Sequence, residues 1–361
     1  MGYSVHCFET PLALHDVNVS LSSRFNRLAH PDAKVEEHKT QAWEQLKHHT
    51  PNLFNASKFR LHSYSKDHHS ANDHHSALTL HFGVTDYASY VGLCCSSLVA
   101  QLLLDGERLH HDRFAFLSRK VGVAAALETT DGYVALLKRS TSVGLYQNLF
   151  DTPGGHPEPL TCHVTQKGLQ ILEADEDESE EEEARSRRTE VEVAVRREFF
   201  ESITNEIHEE VNVAPELQQL PELLGVVLQT GACTPSFSFH VRTLCSAQEL
   251  KELYEAGPAD KFESVELELL SVEKLLAGGS SQMLLPGHRK EFSRPRSTLA
   301  SKRSVNNVPA GQVLLSLLQR TSYLISHKDI RVASCLDPCD KGAAGTCSLQ
   351  PIQGVNSVNL L

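Results

Sequence analysis

Between residues 191 and 207, Val191, Val195, Phe199, Ile203 and Ile207 recur every fourth residue. That period is helical, and a stripe of bulky apolar side chains this long demands a sheet to lie against. The same stretch carries acids that sit awkwardly on such a helix. Glu206, Glu209 and Glu210, within Asn-Glu-Ile-His-Glu-Glu-Val-Asn-Val (205–213), are spaced i, i+3 and i+4. At about 100° per residue, Glu206 and Glu210 project alongside the stripe. Glu198 and Glu209 flank them, and the four fan over roughly a third of the circumference. Glu201 lies elsewhere and reads as solvated. Carboxylates beside a core-facing stripe are costly to leave unpaired. A hard divalent cation such as Mg²⁺ takes oxygen ligands and keeps coordination sites for a phosphate. The plainer reading is a solvated acidic helix end.

A second signal stands upstream. Leu149-Phe150-Asp151-Thr152-Pro153-Gly154-Gly155-His156-Pro157-Glu158-Pro159 is a strand-like run that ends in a Gly-Gly turn carrying one further carboxylate. Glycine permits backbone conformations and close approaches that side chains forbid. Alone, Pro-Gly-Gly is an ordinary turn. Paired with the acidic helix it says more.

Together the two segments resemble the box of the Nudix hydrolase family, G-x5-E-x7-R-E-U-x-E-E-x-G-U, with U a bulky aliphatic. Gly155 matches the opening glycine. Glu206, Ile207, Glu209, Glu210 and Val213 match E-U-x-E-E-x-x-U. Asn205 replaces the arginine. Asn212 replaces the second glycine, a swap compatible with a left-handed helix cap. The box's first glutamate would fall on Arg197, one step from Glu198. Gly155 and Glu206 stand 51 residues apart, so some 36 residues are inserted. The Pro-Gly-Gly-His-Pro-Glu-Pro segment and the long N-terminal extension resemble the branch that hydrolyses UDP-glucose and UDP-galactose. Ala56-Ser57-Lys58-Phe59-Arg60-Leu61 and Gly83-Val84-Thr85-Asp86-Tyr87 do so as well. The resemblance spans roughly residues 40–280.

That resemblance implies an α+β fold, a Nudix αβα sandwich with a mixed sheet, preceded by a small N-terminal α/β module. It implies metal-dependent hydrolysis of UDP-sugars to UMP and a hexose 1-phosphate. Mg²⁺, or Mn²⁺ in its place, would be held by Glu206 and Glu210 with Glu209. Glu209 and Glu158 are the candidates for the general base, and the sequence does not rank them. Tyr87, Phe59 and Arg139 are the candidates for binding the substrate's uridine. The alternative is a non-catalytic nucleotide-sugar-binding module on a Nudix fold. It draws on Asn205 and the displaced glutamate, because the family's arginine pairs with the acidic cluster.

Charge and cysteine usage narrow the class. The net charge of −12 argues against a nucleic-acid binder. Nine cysteines, an odd number without a compact framework, suggest reduced thiols and a cytoplasmic setting. Neither a signal peptide nor a membrane-spanning apolar run is expected. Met1-Gly2 does not open a myristoylation motif, because His6 stands where Ser or Thr is needed. A small-molecule nucleotide sugar is the expected partner.

Residues 1–115 read as the N-terminal module. It holds a helix over Gln41–His48 and strands over Lys58–Tyr64 and Ala77–Val84. The histidine-rich link between those strands reads as a polar loop, with metal binding as the rival reading. Residues 116–327 read as the Nudix domain. Val121–Glu128, the Thr129–Gly132 turn and Tyr133–Arg139 form a hairpin pattern. Leu223–Thr230, Ser236–Arg242 and Ser264–Leu270 read as strands, Ala247–Glu255 and Gly311–Ser326 as helices. The acidic insertion, about 163–189 and centred on Glu173–Arg188, is expected to be disordered. The basic stretch His288–Arg303 reads as a solvated loop, with a nuclear address as the alternative. The tail 328–361 is expected to be disordered, its Cys335, Cys339 and Cys347 forming no zinc site.

Overall fold

The computed structural model describes residues 3–50, 53–67, 77–140, 150–174, 181–229, 231–260 and 264–273. The histidine-rich link, the helix expected at 311–326, the basic stretch and the cysteine-bearing tail fall outside the described residues. The strands are β1 (Tyr3–Leu12), β2 (Val17–Leu21), β3 (Ser57–Asp67), β4 (Ala77–Asp86), β5 (Gly122–Glu128) and β6 (Tyr133–Arg139). They continue with β7 (Phe150–Asp151), β8 (Gly154–Gly155), β9 (Glu222–Gln229), β10 (Pro235–Arg242) and β11 (Ser264–Ser271). The helices are α1 (Ala33–His49), α2 (Tyr87–Ser89), α3 (Val99–His110), α4 (Gln166–Ala174), α5 (Glu181–Val211) and α6 (Ala247–Ala256).

The larger sheet runs β1-β9-β10-β5-β6-β11, with β7 on β6 and β8 on β5. Its β10–β5 pair is parallel and its other ladders are antiparallel. The sheet is therefore mixed, and the fold is of the expected α+β class. A second sheet, β2-β4-β3, pairs β2 with β4 in parallel and β3 with β4 antiparallel.

Helix α5 packs against both sheets, which is why its apolar stripe is so long. Val195, Phe199, Ile203, Ile207 and Val211 are fully buried. One core takes in β2, β3 and β4 of the small sheet and β5 and β10 of the large one. The Phe199 ring lies 5.8 Å from Phe82 on one side, and 5.0 Å from Phe237 and 5.4 Å from Phe239 on the other. Aromatic pairs at these separations add to area burial.

Most strand limits agree with the sequence pattern to within a residue or two. Helix α1 starts eight residues before Gln41 because Asp32 caps it, its carboxylate accepting from the Lys34 N–H at 3.0 Å. Strand β1, which the pattern does not reveal, pairs with β9 of the large sheet. It lies at a sheet edge, where polar residues and Pro11 are tolerated. Contacts therefore cross the line drawn at residue 115.

The acidic insertion requires a correction. Helix α4 extends to Ala174 and α5 begins at Glu181, so most of the run is helical and not disordered. The cause lies at the edge of the small sheet, where β2 presents backbone groups that need partners. Glu192 Oε1 accepts from the Leu21 N–H at 2.9 Å, and Arg188 Nη2 donates to the Leu21 carbonyl at 3.1 Å. Glu173 accepts from the hydroxyls of Ser22 and Ser23 and from the Ser23 N–H. Charged side chains here serve as partners for backbone.

Candidate active site

The β5–β6 hairpin opens as it leaves its turn. Gly132 sits at φ +78° in that turn, but the strands then share only the Glu128–Val134 pairing. Residues 150–155 enter the gap. Phe150 and Asp151 pair with Lys138 and Leu137 of β6, and Gly154 and Gly155 pair with Ala124 and Val123 of β5. A Cβ on Gly154 would stand 2.4 Å from the Val123 carbonyl oxygen. The first glycine is therefore needed for strand pairing.

The second glycine is needed for a carboxylate. A Cβ on Gly155 would stand 1.6 Å from Oε1 of Glu206. The acid of α5 thus occupies the space that a side chain would fill. The His156 N–H points to the same oxygen at 3.4 Å, and the Gly154 N–H donates to Oε2 of Glu210 at 2.9 Å. Two residues further along the loop, Oε1 of Glu198 accepts from the Glu158 N–H at 2.8 Å. Glu198 and Glu210 are buried. Burial raises the Glu198 carboxyl above its ordinary range, with the negative charge of Glu158 adding to the shift. The helix acids and the glycine loop, far apart in sequence, form one constellation.

Cations border it. Lys58 of β3 is buried, and its Nζ reaches Oε1 of Glu158 at 2.6 Å. Lys120, just before β5, is also buried. Its ammonium donates to Nε2 of His156 and lies 4.4 Å from the centroid of the Tyr90 ring. An ammonium only donates, so Nε2 accepts and the neutral imidazole carries its proton on Nδ1. Burial brings Lys120 down to about 7, with Lys58 adding its repulsion against the opposing thiols of Cys95 and Cys94. Burial, and then the charges of Lys120, Lys58 and Arg139, hold His156 well below the ordinary imidazole range.

The residues expected from the sequence fall into three groups. Glu206 and Glu210 meet at the loop. Glu209 is exposed, and its backbone carbonyl accepts from the Asp260 N–H. Glu158 is exposed and engaged with Lys58. Tyr87 is half-buried beside Tyr90, their rings 6.0 Å apart. Arg139 lies 3.9 Å from Asp151, and its Nε is buried without a hydrogen-bond partner among the described residues. Phe59 is a correction. It is fully buried in the core, 5.7 Å from Phe82 in a stacked arrangement, and offers no face to a base.

Lys58, Lys120 and Tyr90 escaped the sequence reading. A trace was there: Lys58 stands within a strand beside Phe59, and Lys120 just before an apolar strand, where a lysine needs a reason. Asn212 follows its expectation. It sits at φ +66° just past α5, and its side-chain amide donates to the Leu253 carbonyl at 2.8 Å. Among the described residues the six cysteines form no disulfide, and no single helix is long and apolar enough to cross a membrane.

The class this site defines is a hydrolase family built on a glycine loop and an acidic helix. No family model matches the chain. Nudix hydrolase 9 of Arabidopsis thaliana is 28% identical over 269 residues, covering 73% of this chain and 81% of that protein. The uridine diphosphate glucose pyrophosphatase NUDT22 of Homo sapiens is 30% identical over 270 residues, covering 73% of this chain and 82% of that protein. Among solved structures, the MutT protein from Methanosarcina mazei Go1 matches 57% of this chain and 95% of its own, at 16% identity and a TM-score of 0.29. The chain belongs to the Nudix hydrolase family.

Proposed function

We propose that this protein hydrolyses the diphosphate of UDP-sugars, UDP-glucose and UDP-galactose among them, to UMP and a hexose 1-phosphate. The observation that carries this reading is the convergence of Glu206 and Glu210 on the Gly154–Gly155 loop, with Gly155 leaving room for the Glu206 carboxylate. The substrate class follows from the likeness to a protein named as a UDP-glucose pyrophosphatase.

The donor set suits Mg²⁺ or Mn²⁺. Glu206 and Glu210 offer hard oxygens one turn apart, and Glu209 is near them on the same helix. Among the described residues, no three acid, histidine or cysteine side chains already surround one point. Mg²⁺ needs no such cage, since one or two carboxylates, waters and substrate phosphates complete its shell. Bound there, the ion would neutralise the diphosphate and lower the pKa of a water.

The chain's own groups do the rest. Glu206 and Glu210 hold the anionic pocket open against the loop amides. Lys58 fixes Glu158 at the rim. Arg139, with an unsatisfied Nε, has a donor to spare for a substrate oxygen. Tyr87 offers a partly exposed aromatic face to the uracil. Glu209, exposed and without a competing ion pair among the described residues, is the better placed of the two candidate bases. A pure binding module would not need paired acids aimed at one loop.

The test is a panel of nucleotide sugars incubated with Mg²⁺, with and without EDTA, and run in ¹⁸O-labelled water. Label in a phosphate of UMP or hexose 1-phosphate is expected, and turnover should vanish with EDTA. Release of free glucose with UDP, or no turnover of any nucleotide diphosphate, would sink the proposal.

A further inference from the structure

Lys120 has no carboxylate partner among the described residues, although it is buried. Its ammonium meets only a neutral imidazole and the face of Tyr90. A buried charge normally finds a counter-charge or is neutralised. Lys58 and Arg139 are also close enough to act on His156, but each has its own carboxylate, Glu158 and Asp151, and Lys120 has none. Two further polar atoms nearby, Arg139 Nε and Thr152 Oγ1, are buried without hydrogen-bond partners among the described residues. Thr152 belongs to the loop that ends in Gly154–Gly155. An ammonium without a counter-ion, a spare guanidinium N–H and an unsatisfied hydroxyl at one loop describe a place for an anion.

The lysine is also built into the site. Its residue bridges to Arg60 of β3, where the small sheet meets the segment entering β5. Its ammonium is linked through His156 to the loop, and the His156 N–H points to Glu206. The cation and the acids therefore border the same loop.

We propose that Lys120 is a phosphate-binding residue of this site, its ammonium passing from His156 Nε2 to a phosphoryl oxygen of a bound diphosphate. The assignment rests on the diphosphatase reading above for the identity of the natural ligand, but not for the presence of the anion site. His156 is then a positioning residue. It holds the ammonium without supplying a charge that would compete with the ligand. The Tyr90 ring serves the same end, because a cation over an aromatic face stays charged-compatible without an acid.

The test uses the full chain and inorganic pyrophosphate in metal-free buffer with EDTA, with binding measured by calorimetry. Lys120→Met should weaken pyrophosphate binding by about tenfold or more, the scale of one lost charge-assisted hydrogen bond. Lys120→Arg should stay within about threefold of wild type. Lys120→Met should also melt at or above the wild-type temperature, because it removes a buried ammonium without a counter-ion. Loss of affinity with gain of stability is not what a structural lysine gives. A Lys120→Met protein that melts much lower, or that binds pyrophosphate as wild type does, overturns the inference. So does a wild type that binds no pyrophosphate. The two proposals fail separately. Wild-type turnover of UDP-glucose beside unchanged pyrophosphate binding in Lys120→Met would leave the activity standing. A chain inert towards nucleotide diphosphates whose pyrophosphate binding still needs Lys120 would do the reverse.

Discussion

Gly155→Ala separates the site from the scaffold. A Cβ at this position would lie 1.6 Å from Oε1, 2.1 Å from Cδ and 2.7 Å from Oε2 of Glu206. Ordinary contact lies near ~3.5 Å, so the carboxylate must retreat by about 2 Å. The group that moves is the end of a flexible side chain, half-exposed, and it can swing away at a cost of about 1 kcal/mol. The backbone need not follow. Displacement of a reacting group by about 1 Å can cost on the order of 10²-fold in rate. The variant should therefore lose about two orders of magnitude or more in kcat while melting within a few degrees of wild type. Gly154→Ala is the control. Its Cβ would meet the Val123 carbonyl oxygen at 2.4 Å, and that atom belongs to the central sheet. Overpacking against backbone costs about 1–3 kcal/mol or more, so this variant should melt clearly lower. Melting curves and phosphate-release kinetics on UDP-glucose with Mg²⁺ measure both effects. Gly155→Ala with near wild-type kcat would refute the placement of Glu206. A melting loss equal to that of Gly154→Ala would refute the claim that only a side chain yields.

Glu206→Gln and Glu210→Gln should each lower kcat by about 10²-fold or more, read from steady-state kinetics, with wild-type rates in the double variant removing the metal assignment. Phe59→Ala should cost about 3–5 kcal/mol in denaturant unfolding, as for a core aromatic; a raised KM with unchanged stability would instead restore Phe59 to the substrate site. Glu192→Ala should destabilise by about 1–2 kcal/mol, because it strands the Leu21 N–H at the edge of β2; an unchanged melting temperature would mean that water replaces the bond. Lys120 gives a pH signature. Its folded value is about 7 and an unfolded lysine titrates near ~10.4, so between these pH values the unfolded chain binds more protons. Wild-type stability should therefore gain from this group as pH rises from about 7 towards ~10, and Lys120→Met should lack that gain when both proteins are melted across the range.

The sequence disclosed whatever is periodic or local. The stripe of α5, the apolar run of β9, the alternation of β10 and the Asn212 cap each depend on short-range geometry, and each is where the spacing puts it. Phe59 went astray because an aromatic residue in a strand has two faces to choose between, and its own alternation with Lys58 decides. Lys58 and Phe59 point to opposite sides of β3, so the core takes the ring and the site takes the lysine. The splayed hairpin was hidden for a different reason. Both strands follow a hairpin pattern, and only the arrival of Phe150–Gly155 from further along the chain shows that they part. Lys120 and His156 are 36 positions apart in sequence and on different elements, so no spacing rule joins them.

The broken box becomes intelligible once the insertion is placed. Lengthening a loop by some 36 residues costs little in closure entropy, but it leaves new surface to be satisfied. This chain satisfies it with the N-terminal extension. Glu173 binds Ser22 and Ser23, Arg188 and Glu192 bind Leu21, and Arg196 Nη1 reaches the Val17 carbonyl at 3.4 Å. These contacts run along β2, the edge strand of the extension's own sheet. They also fix α4 and the first turns of α5, the segment separating Gly155 from Glu206. The extension and the insertion thus complete each other. Their joint effect is to hold α5 in register with the glycine loop although the chain between them is long. Removing either one alone should expose the other's unmatched groups, so a deletion of residues 173–188 should lower the melting temperature by more than loop closure predicts. A deletion variant as stable as the full chain would show that the register of α5 is set by its apolar stripe alone.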